Sequence, residues 1–471
     1  MSDPRARRRR APQQRRGAPV DPARAAAFDV LAAVREKDAY TNLVLPPLLR
    51  SRGITGRDAA FATELVSGTV RRRLTYDAVI GACVDRPLGR VDPAVLDALR
   101  LGAHQVLAMR VPSHAAVGTT VDLVRAKVGH GPAGFVNAVL RRVGEHELSG
   151  WVRRVAPDPA TDPVGFASVA HSHPRWVVEA FTEALAAGAA DRTGELDALL
   201  AADNAAPKVT LVARPGLATV AELVEAGGTA GPLSPHAVVL PGGDPGTLPA
   251  VAEGRAGVQD EGSQLVALAL ADAPVEGRDA RWLDVCAGPG GKAALLAALA
   301  GERGARVLAG ERQHHRAGLV AAATAAVGPG LLGVVTADGT RPAWADGAFD
   351  RALVDAPCSG LGALRRRPES RWRRSTADLD ALVPLQRSLL ERALDSVRPG
   401  GVVVYATCSP VVAETAGVVS AVLAERDDVR LEEAVLPDAV TDAAGPLPGT
   451  LQLWPHRHGT DAMFIALLRR R

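Results

Sequence analysis

Apolar positions recur at helical spacing through the first third of the chain, then give way to short apolar runs set close together. Ala27, Val30, Leu31 and Val34 share one helical face, and Asp21 followed by Pro22 supplies an N-cap with proline at the first helical position. The device returns at Asp92-Pro93, ahead of Val95, Leu96, Leu99, Val106 and Leu107. Phe135, Val136, Val139 and Leu140 make a third such face, ending in Arg141 and Arg142. No alternating pattern interrupts these segments, so residues 21–148 are expected to form an all-α domain. Between 149 and 257 the prolines Pro157, Pro159, Pro163 and Pro174 break the chain, and an Ala-rich helical stretch covers 183–202. The runs VTLVA and HAVVLP then alternate with Gly/Pro turns, which predicts a small α+β connecting module. From 258 to 471 the rhythm is strand, loop, helix. Strands are predicted over 282–286, 306–310, 333–336, 351–355 and 402–407, and this repetition indicates βαβ units in a doubly wound α/β domain with a buried parallel sheet.

Composition narrows the picture. A chain of 471 residues exceeds one ordinary domain of about 100–200 residues. With 47% hydrophobic and 23% charged residues, wholesale disorder is excluded, and with 3% aromatics the core must be packed from Ala, Val and Leu. Only four of the 55 basic residues are lysines, a bias that reads as genome composition. The net charge of +3 is too small to imply a nucleic-acid partner, so any such claim rests on local clusters. The cysteines Cys83, Cys286, Cys358 and Cys408 form no CxxC pair and no disulfide framework, so no metal is expected and a reducing compartment suits them. His314 and His315 read as a solvated helix start, and Cys83 as core. Residues 1–20 are Arg-, Pro- and Gln-rich and read as a disordered basic tail, either a solubilising extension or an RNA-tethering arm. No apolar stretch follows them as a secretory signal would require, and no uncharged apolar run reaches the roughly 18 residues of a membrane span. A cytoplasmic monomer is expected, with no membrane partner.

Candidate chemistry gathers in the last domain. The first strand runs into WLDVCAGPGGKAALLAALA, where Gly288, Gly290 and Gly291 permit a tight turn ahead of a helix N-terminus with unpaired N–H groups. In a doubly wound sheet, ligands sit at this edge. The spacing is neither GxGxxG nor GxxxxGK[ST], which disfavours NAD and ATP. Asp284 suits a cationic or hydroxyl-bearing ligand, Glu311 after the second strand could accept both ribose hydroxyls, and Asp338 follows the third strand within reach of an adenine amino group. A glycine loop with acids after strands one, two and three suits S-adenosylmethionine, although another nucleotide remains open on these features alone.

The fourth strand ends in VDAPCSG and the fifth in YATCSP, so two cysteines are expected side by side at the same edge, each followed by a serine. A buried cysteine is more often core than catalyst. Two at strand ends beside a ligand loop point to nucleophilic chemistry, because carbon 5 of a pyrimidine accepts a methyl group only once a thiolate has added at carbon 6. A base must then remove the carbon-5 proton. After Cys358 comes GLGALRRRPESRWRR, with Arg365, Arg366, Arg367, Arg371, Arg373, Arg374 and Trp372. Arginines neutralise phosphates and an indole stacks on an unpaired base, while Glu369 and the acids from Asp378 to Asp380 keep a merely solvated loop as the alternative.

These residues resemble the Nol/Nop/Sun family of RNA 5-cytosine methyltransferases. The likeness lies in VQDEGSQLVA, CAGPGGK, the paired VDAPCSG and ATCS, RRRPESRWRR, PLQRSLLERALDSVRPGGVVVYATCS and HGTDAMFIALL, and covers about 174 to the end. The helical region with FVNAVLRRV resembles the NusB-like RNA-binding domain, which could also serve as a structural brace. Together they are similar to the branch of the family that modifies a cytosine of 16S rRNA, naked or partly assembled. The resemblance implies a NusB-like all-α domain followed by a Rossmann-like class I methyltransferase domain. It implies Cys408 as the attacking nucleophile, Cys358 as the cysteine assisting product release, and Asp355 as the acid contacting target cytosine or cofactor. It also implies a cofactor site of Cys286, Ala287, Gly288, Pro289, Gly290, Gly291, Lys292, Glu311, Asp338 and Asp355, with Lys292 reaching into the active site. Gly288 stands where the family usually has alanine, Ala293 where a hydroxyl residue is common, and Ala462 where glycine is usual. Thr415 replaces the asparagine of a Glu-Asn pair whose first member is Glu414. A tRNA substrate and a non-catalytic RNA-binding assembly factor remain as alternatives.

Overall fold

A computed structural model describes residues 20–37 and 39–471, so the expected basic tail lies outside the described residues. The described residues divide into two compact units, one that runs to residue 69 and resumes over 75–155, and one of 70–74 and 156–471.

Among the described residues the first unit is built of helices: α1 (Pro22–Lys37), α2 (Thr41–Ser51), α3 (Gly56–Arg71), α4 (Arg73–Ala82), α5 (Pro93–Leu107), α6 (Ser113–Lys127), α7 (Ala133–Val143) and α8 (Leu148–Val155). Both expected caps are present. Asp21 Oδ1 accepts from Arg24 N at 2.8 Å, and Asp92 Oδ1 accepts from Ala94 N and Val95 N at 2.9 and 3.1 Å. Such caps stabilise a helix by about 1 kcal/mol each. The apolar faces turn inward at Ala27, Val30, Leu31, Val95, Leu99, Val136, Val139 and Leu140, and Cys83 is buried among them.

In the second unit the helix Pro163–His171 precedes the Ala-rich stretch expected over 183–202. The structure breaks it into Arg175–Ala186 and Leu196–Ala202, because the chain turns at Gly188 and re-enters through a short 3-10 turn at Thr193–Glu195. A four-stranded antiparallel sheet follows, with β1 (Val209–Ala213), β2 (Thr229–Ala230), β3 (Ala237–Leu240) and β4 (Ala256–Val258) in the order β2-β3-β1-β4.

The large sheet holds β5 (Arg281–Asp284), β6 (Arg306–Glu311), β7 (Leu331–Thr336), β8 (Phe349–Asp355), β9 (Val397–Thr407), β10 (Val429–Glu432), β11 (Leu451–Gln452) and β12 (Phe464–Arg470). Its order is β10-β12-β9-β8-β5-β6-β7, with β11 paired to β12. The five predicted strands are the parallel ones. The sequence reading missed the antiparallel extension, in which β12 runs between β9 and β10. A terminal apolar run with no crossover helix after it gives no βαβ signal.

Strand residues alternate between two dry layers. Trp282, Leu353, Val402, Val404 and Ala406 pack against the helices Glu261–Ala271 and Gly291–Glu302. Leu283, Ala352, Val354, Val403 and Tyr405 pack against the helices Ala377–Ser396 and Ala416–Glu425. Both faces are covered, so the parallel strands read as continuous apolar runs. Because β5 pairs with β6 on one side and β8 on the other, the loop after β5 lies at the point where strand order reverses.

Candidate active site

The glycine loop is fixed by its neighbours on both sides. Val285 N donates to Leu353 O and Ala287 N to Gly310 O, each at 2.9 Å. Gly290 holds a φ of +113° as it enters the helix, and a Cβ there would lie 2.6 Å from the Ala323 Cβ, so the turn requires glycine. At Gly288, a Cβ would fall 2.2 Å from Glu311 Oε2. The small residue lets the Glu311 carboxylate close on the loop, where Arg316 Nη2 also donates to Gly288 O at 2.7 Å.

The acids sit where the sequence placed them, at three strand ends. Asp284 is fully buried. Its Oδ1 accepts from Cys286 N at 3.3 Å, and its Oδ2 has no hydrogen-bond partner. Burial, then the nearby Asp355, push its carboxyl up to about 7. Glu311 Oε1 accepts from Gln313 N at 2.9 Å. Asp338 Oδ1 accepts from Thr340 Oγ1 at 2.8 Å and Thr340 N at 3.0 Å, which hold its carboxyl below the usual range. The Cys286 thiol is raised well above its ordinary value by burial and by the negative charges of Asp284, Asp355 and Glu311, which suits a lining group and not a nucleophile.

The two remaining cysteines meet. Strands β8 and β9 pair in parallel as far as Asp355 and Ala406, and just past the end of that ladder Cys358 Sγ lies 3.4 Å from Cys408 Sγ. Their surroundings differ. Hydrogen bonding from Cys358 holds the Cys408 thiol below its ordinary value against burial and Asp355, with the cations Lys292 and Arg367 adding to the effect. Cys358 goes the other way, raised well above its ordinary value by its bond to Cys408, by burial, and by Glu414 and Asp355. Of the two, Cys408 sits in the surroundings that favour loss of the proton and Cys358 in those that favour keeping it. Lys292 Nζ donates to Asp355 Oδ2 at 2.8 Å and to Ser263 Oγ at 3.3 Å, which joins the glycine-loop helix to the cysteine strands. Burial would lower the Lys292 ammonium, but Asp355 outweighs it and keeps the group protonated.

The arginine run is divided in its placement. Arg371 is fully buried and donates to Asn204 Oδ1, Ser172 O, Arg71 O and Asp203 O at 2.9 to 3.3 Å, with burial pushing its pKa down to about 10. Arg365 is buried against Gly459 O and Asp461, and Arg366 bridges Asp461 and Asp260. Trp372 gives its indole N–H to Val70 O at 2.9 Å, and the Arg73 guanidinium lies 5.8 Å from its ring centroid. Arg374 pairs with Asp378 at 3.2 Å, and Arg373 is half-buried. Arg367 is exposed, within electrostatic reach of Cys408. Of these seven residues Arg367 is exposed and Arg366, Trp372, Arg373 and Arg374 are half-buried, while distant segments supply interior acceptors for Arg365, Arg366, Arg371 and Trp372.

Sequence reasoning passed over Ser263, Asp260, Asp461 and the cluster beneath the cysteines. Their signal was present: a serine after each cysteine, and acids within VQDEGSQ and HGTDAMF.

Among known proteins, the family model of the 16S rRNA methyltransferase RsmB/F matches residues 269–469, and that of the NusB family matches residues 21–145. A Mycobacterium tuberculosis protein, named only as a methyltransferase, is 55% identical over 464 residues, covering 98% of this chain and 99% of its own length. The ribosomal RNA small subunit methyltransferase B of Pseudomonas putida is 33% identical over 457 residues, covering 94% of this chain and 98% of its own. The crystal structure of PH0851 shares the fold with a TM-score of 0.78 at 21% identity, covering 96% of this chain and 99% of that one.

Proposed function

Because this chain belongs to the RsmB/F family of 16S rRNA methyltransferases, as its identity to relatives along nearly its whole length shows, we propose that it methylates carbon 5 of a cytosine in 16S rRNA through a covalent bond to Cys408. The observation that carries this reading is the thiol pair, 3.4 Å apart at the ends of adjacent strands beside the glycine loop. The same reading takes S-adenosylmethionine as cofactor, RNA as partner, and a monomer working in the cytoplasm as the form of the enzyme.

The residues fit that cofactor. The unpartnered Oδ2 of buried Asp284 is an acceptor waiting for a cationic donor, such as the ammonium of the methionine part. Residues Cys286 to Lys292 would surround that part, with Glu311 on the ribose and Asp338 near the adenine. When bound, the cofactor supplies an electrophilic methyl group on a sulfonium.

The protein's own groups perform the rest. Cys408, the more readily ionised of the two, adds as its thiolate to carbon 6 of the cytosine, and the electron pair of the carbon 5–carbon 6 double bond moves to carbon 5. Carbon 5 would then use that pair to take the methyl group, whose bond to the sulfonium sulfur would break with its electrons left on the sulfur. Loss of the carbon-5 proton to a base restores the double bond and expels the Cys408 thiolate. Cys358, kept protonated beside it, assists that release, while Asp355 and Lys292 orient the cytosine ring.

Purified wild type, Cys358→Ala and Cys408→Ala are incubated with 16S transcript and S-adenosylmethionine and run on a denaturing gel. A slow-migrating protein–RNA adduct is expected in the Cys358→Ala lane only, because release is blocked after attack. Full methylation by Cys408→Ala overturns the mechanism, and methylation confined to a tRNA pool overturns the substrate.

A further inference from the structure

Beneath the two sulfurs lies a buried acid that the mechanism above does not use. Glu414 is fully buried, and four donors converge on its carboxylate. Ser359 N and Gln386 Nε2 reach Oε1 at 2.7 and 3.0 Å, while the hydroxyls of Ser359 and Ser409 reach Oε2, each at 2.6 Å. The two hydroxyl oxygens are themselves 2.9 Å apart. Gln386 also donates to Pro357 O at 2.8 Å, and the backbone oxygen of Glu414 accepts from Tyr405 OH at 2.7 Å.

Ser359 directly follows Cys358, and Ser409 directly follows Cys408. The ladder between β8 and β9 ends at Asp355 and Ala406, with one further bond from Ala356 N to Ala406 O. Beyond it the two cysteine loops are tied by Gly362 N to Cys408 O at 2.9 Å and by the Glu414 carboxylate. We propose that Glu414 is a positioning residue for methyl transfer, whose carboxylate clamps Ser359 to Ser409 and so holds Cys358 and Cys408 at thiol–thiol contact. Its catalytic meaning rests on the function proposed above.

Hydrogen bonds from several donors to one buried carboxylate are charge-assisted and strong, so the clamp is stiff. Its position is also asymmetric in charge. Glu414 acts on Cys358, Lys292 and Arg367 act on Cys408, and Asp355 acts on both, with the Tyr405 phenol packed alongside. An anion on the Cys358 side favours S–H there, and cations on the Cys408 side favour the thiolate. No geometry in which the sulfurs drift apart keeps that donation, because a thiol hydrogen bond reaches only one neighbour.

The test uses the full-length protein without RNA. Phenylarsine oxide bridges two thiols in contact, and its affinity reads the thiol–thiol separation. The pH dependence of iodoacetamide alkylation, read for each cysteine by mass spectrometry, shows which one ionises first. Wild type is expected to capture one arsenical and to alkylate first at Cys408. Glu414→Gln, close to isosteric, and Glu414→Ala are expected to lose about tenfold in arsenical affinity and in the preference for Cys408, a change of about one pKa unit. Methyl transfer should fall in kcat with little change in KM for RNA. A wild-type far-ultraviolet circular dichroism spectrum and a cooperative thermal melt identify folded variants. If the Glu414 variants fail that control, Ser359→Ala combined with Ser409→Ala cuts the same link and leaves the acid in place. Wild-type arsenical capture and wild-type alkylation order in the folded variants overturn the proposal. Absence of RNA methylation by wild type would overturn the function proposed above instead, and these thiol readouts do not depend on it.

Discussion

The two halves of the sheet's carboxyl edge are finished to different degrees. On the side of β5, β6 and β7 the loop is rigid but one polar group is unmet: Asp284 keeps a buried oxygen without a partner. On the side of β8 and β9 the sulfur pair and the two serines are tied to one another through the Glu414 carboxylate, and the buried atoms left without a partner, Gln386 Oε1 and Arg371 Nε, lie behind the cysteines and not at the reacting sulfurs. A buried polar group without a partner costs about 1–3 kcal/mol, a cost that the cofactor of the proposed function would relieve at Asp284. Under the proposed mechanism the second half is assembled before its substrate arrives, as attack in one geometry requires.

The largest expected effect breaks the closed half at its reacting atom. Cys408→Ala should reduce methylation by on the order of 10⁴-fold or more, as removal of a nucleophile does elsewhere, measured by tritium transfer from labelled cofactor into 16S transcript. Cofactor affinity, measured by calorimetry on the same protein, should stay near wild type. A parallel loss of cofactor binding would mean the two halves are not separable.

Next comes the closure itself. Arg371→Ala leaves Asn204 Oδ1 and the carbonyls of Arg71, Ser172 and Asp203 without their donor. Breaking such a buried charged network costs about 3–5 kcal/mol, and urea unfolding followed by far-ultraviolet circular dichroism should show it. A loss below about 1 kcal/mol would place the guanidinium in solvent, and the run would then be an RNA surface as the sequence suggests.

The open half gives a smaller, pH-dependent signal. Replacing Asp284 with asparagine removes a charge-assisted bond worth about 1.5–3 kcal/mol, which lowers cofactor affinity by roughly 10- to 100-fold. Stability of the cofactor-free protein moves the other way. The folded carboxyl sits at about 7, against about 3.9 in an unfolded chain. The folded state therefore holds the extra proton between those values, and wild-type stability falls as pH rises from about 4 to about 7. Asp284→Asn lacks that slope. The two proteins should converge near pH 4, with the variant the more stable near pH 8, in thermal melts across that range.

This contrast also explains what could be read in advance. The glycine loop, the three acids and the caps at Asp21 and Asp92 are local. Each needs only a strand end or helix start and the few residues beside it, so spacing alone locates them. The parallel strands were legible for the same reason, through repetition of short apolar runs. The fate of the arginines was not, because the acceptors of Arg371 come from residues 167 to 300 positions away. Burial of a charge is decided by such distant partners, and a charged run looks the same whether they exist or not. Glu414 shows the intermediate case: its spacing after Cys408 was visible, but its clamp on Ser359 spans 55 positions and needs the fold.

The smallest expected effect concerns the part of the closed half that faces outward. Arg367 is exposed and acts on Cys408 through its charge, so Arg367→Ala should weaken 16S transcript binding modestly. It should also reduce the slope of log affinity against log salt by about one, the signature of a single phosphate contact. Because a phosphate contact carries no base information, the loss should be the same for a mutated target stem as for the natural one. The same substitution removes one of the cations that favour the Cys408 thiolate, so alkylation of Cys408 should shift slightly toward higher pH. Filter binding across a salt series, set beside that alkylation profile, separates the two roles. An unchanged salt slope with a shifted profile would make Arg367 part of the electrostatics of the nucleophile alone. The RNA would then have to be held by surfaces other than the arginine run.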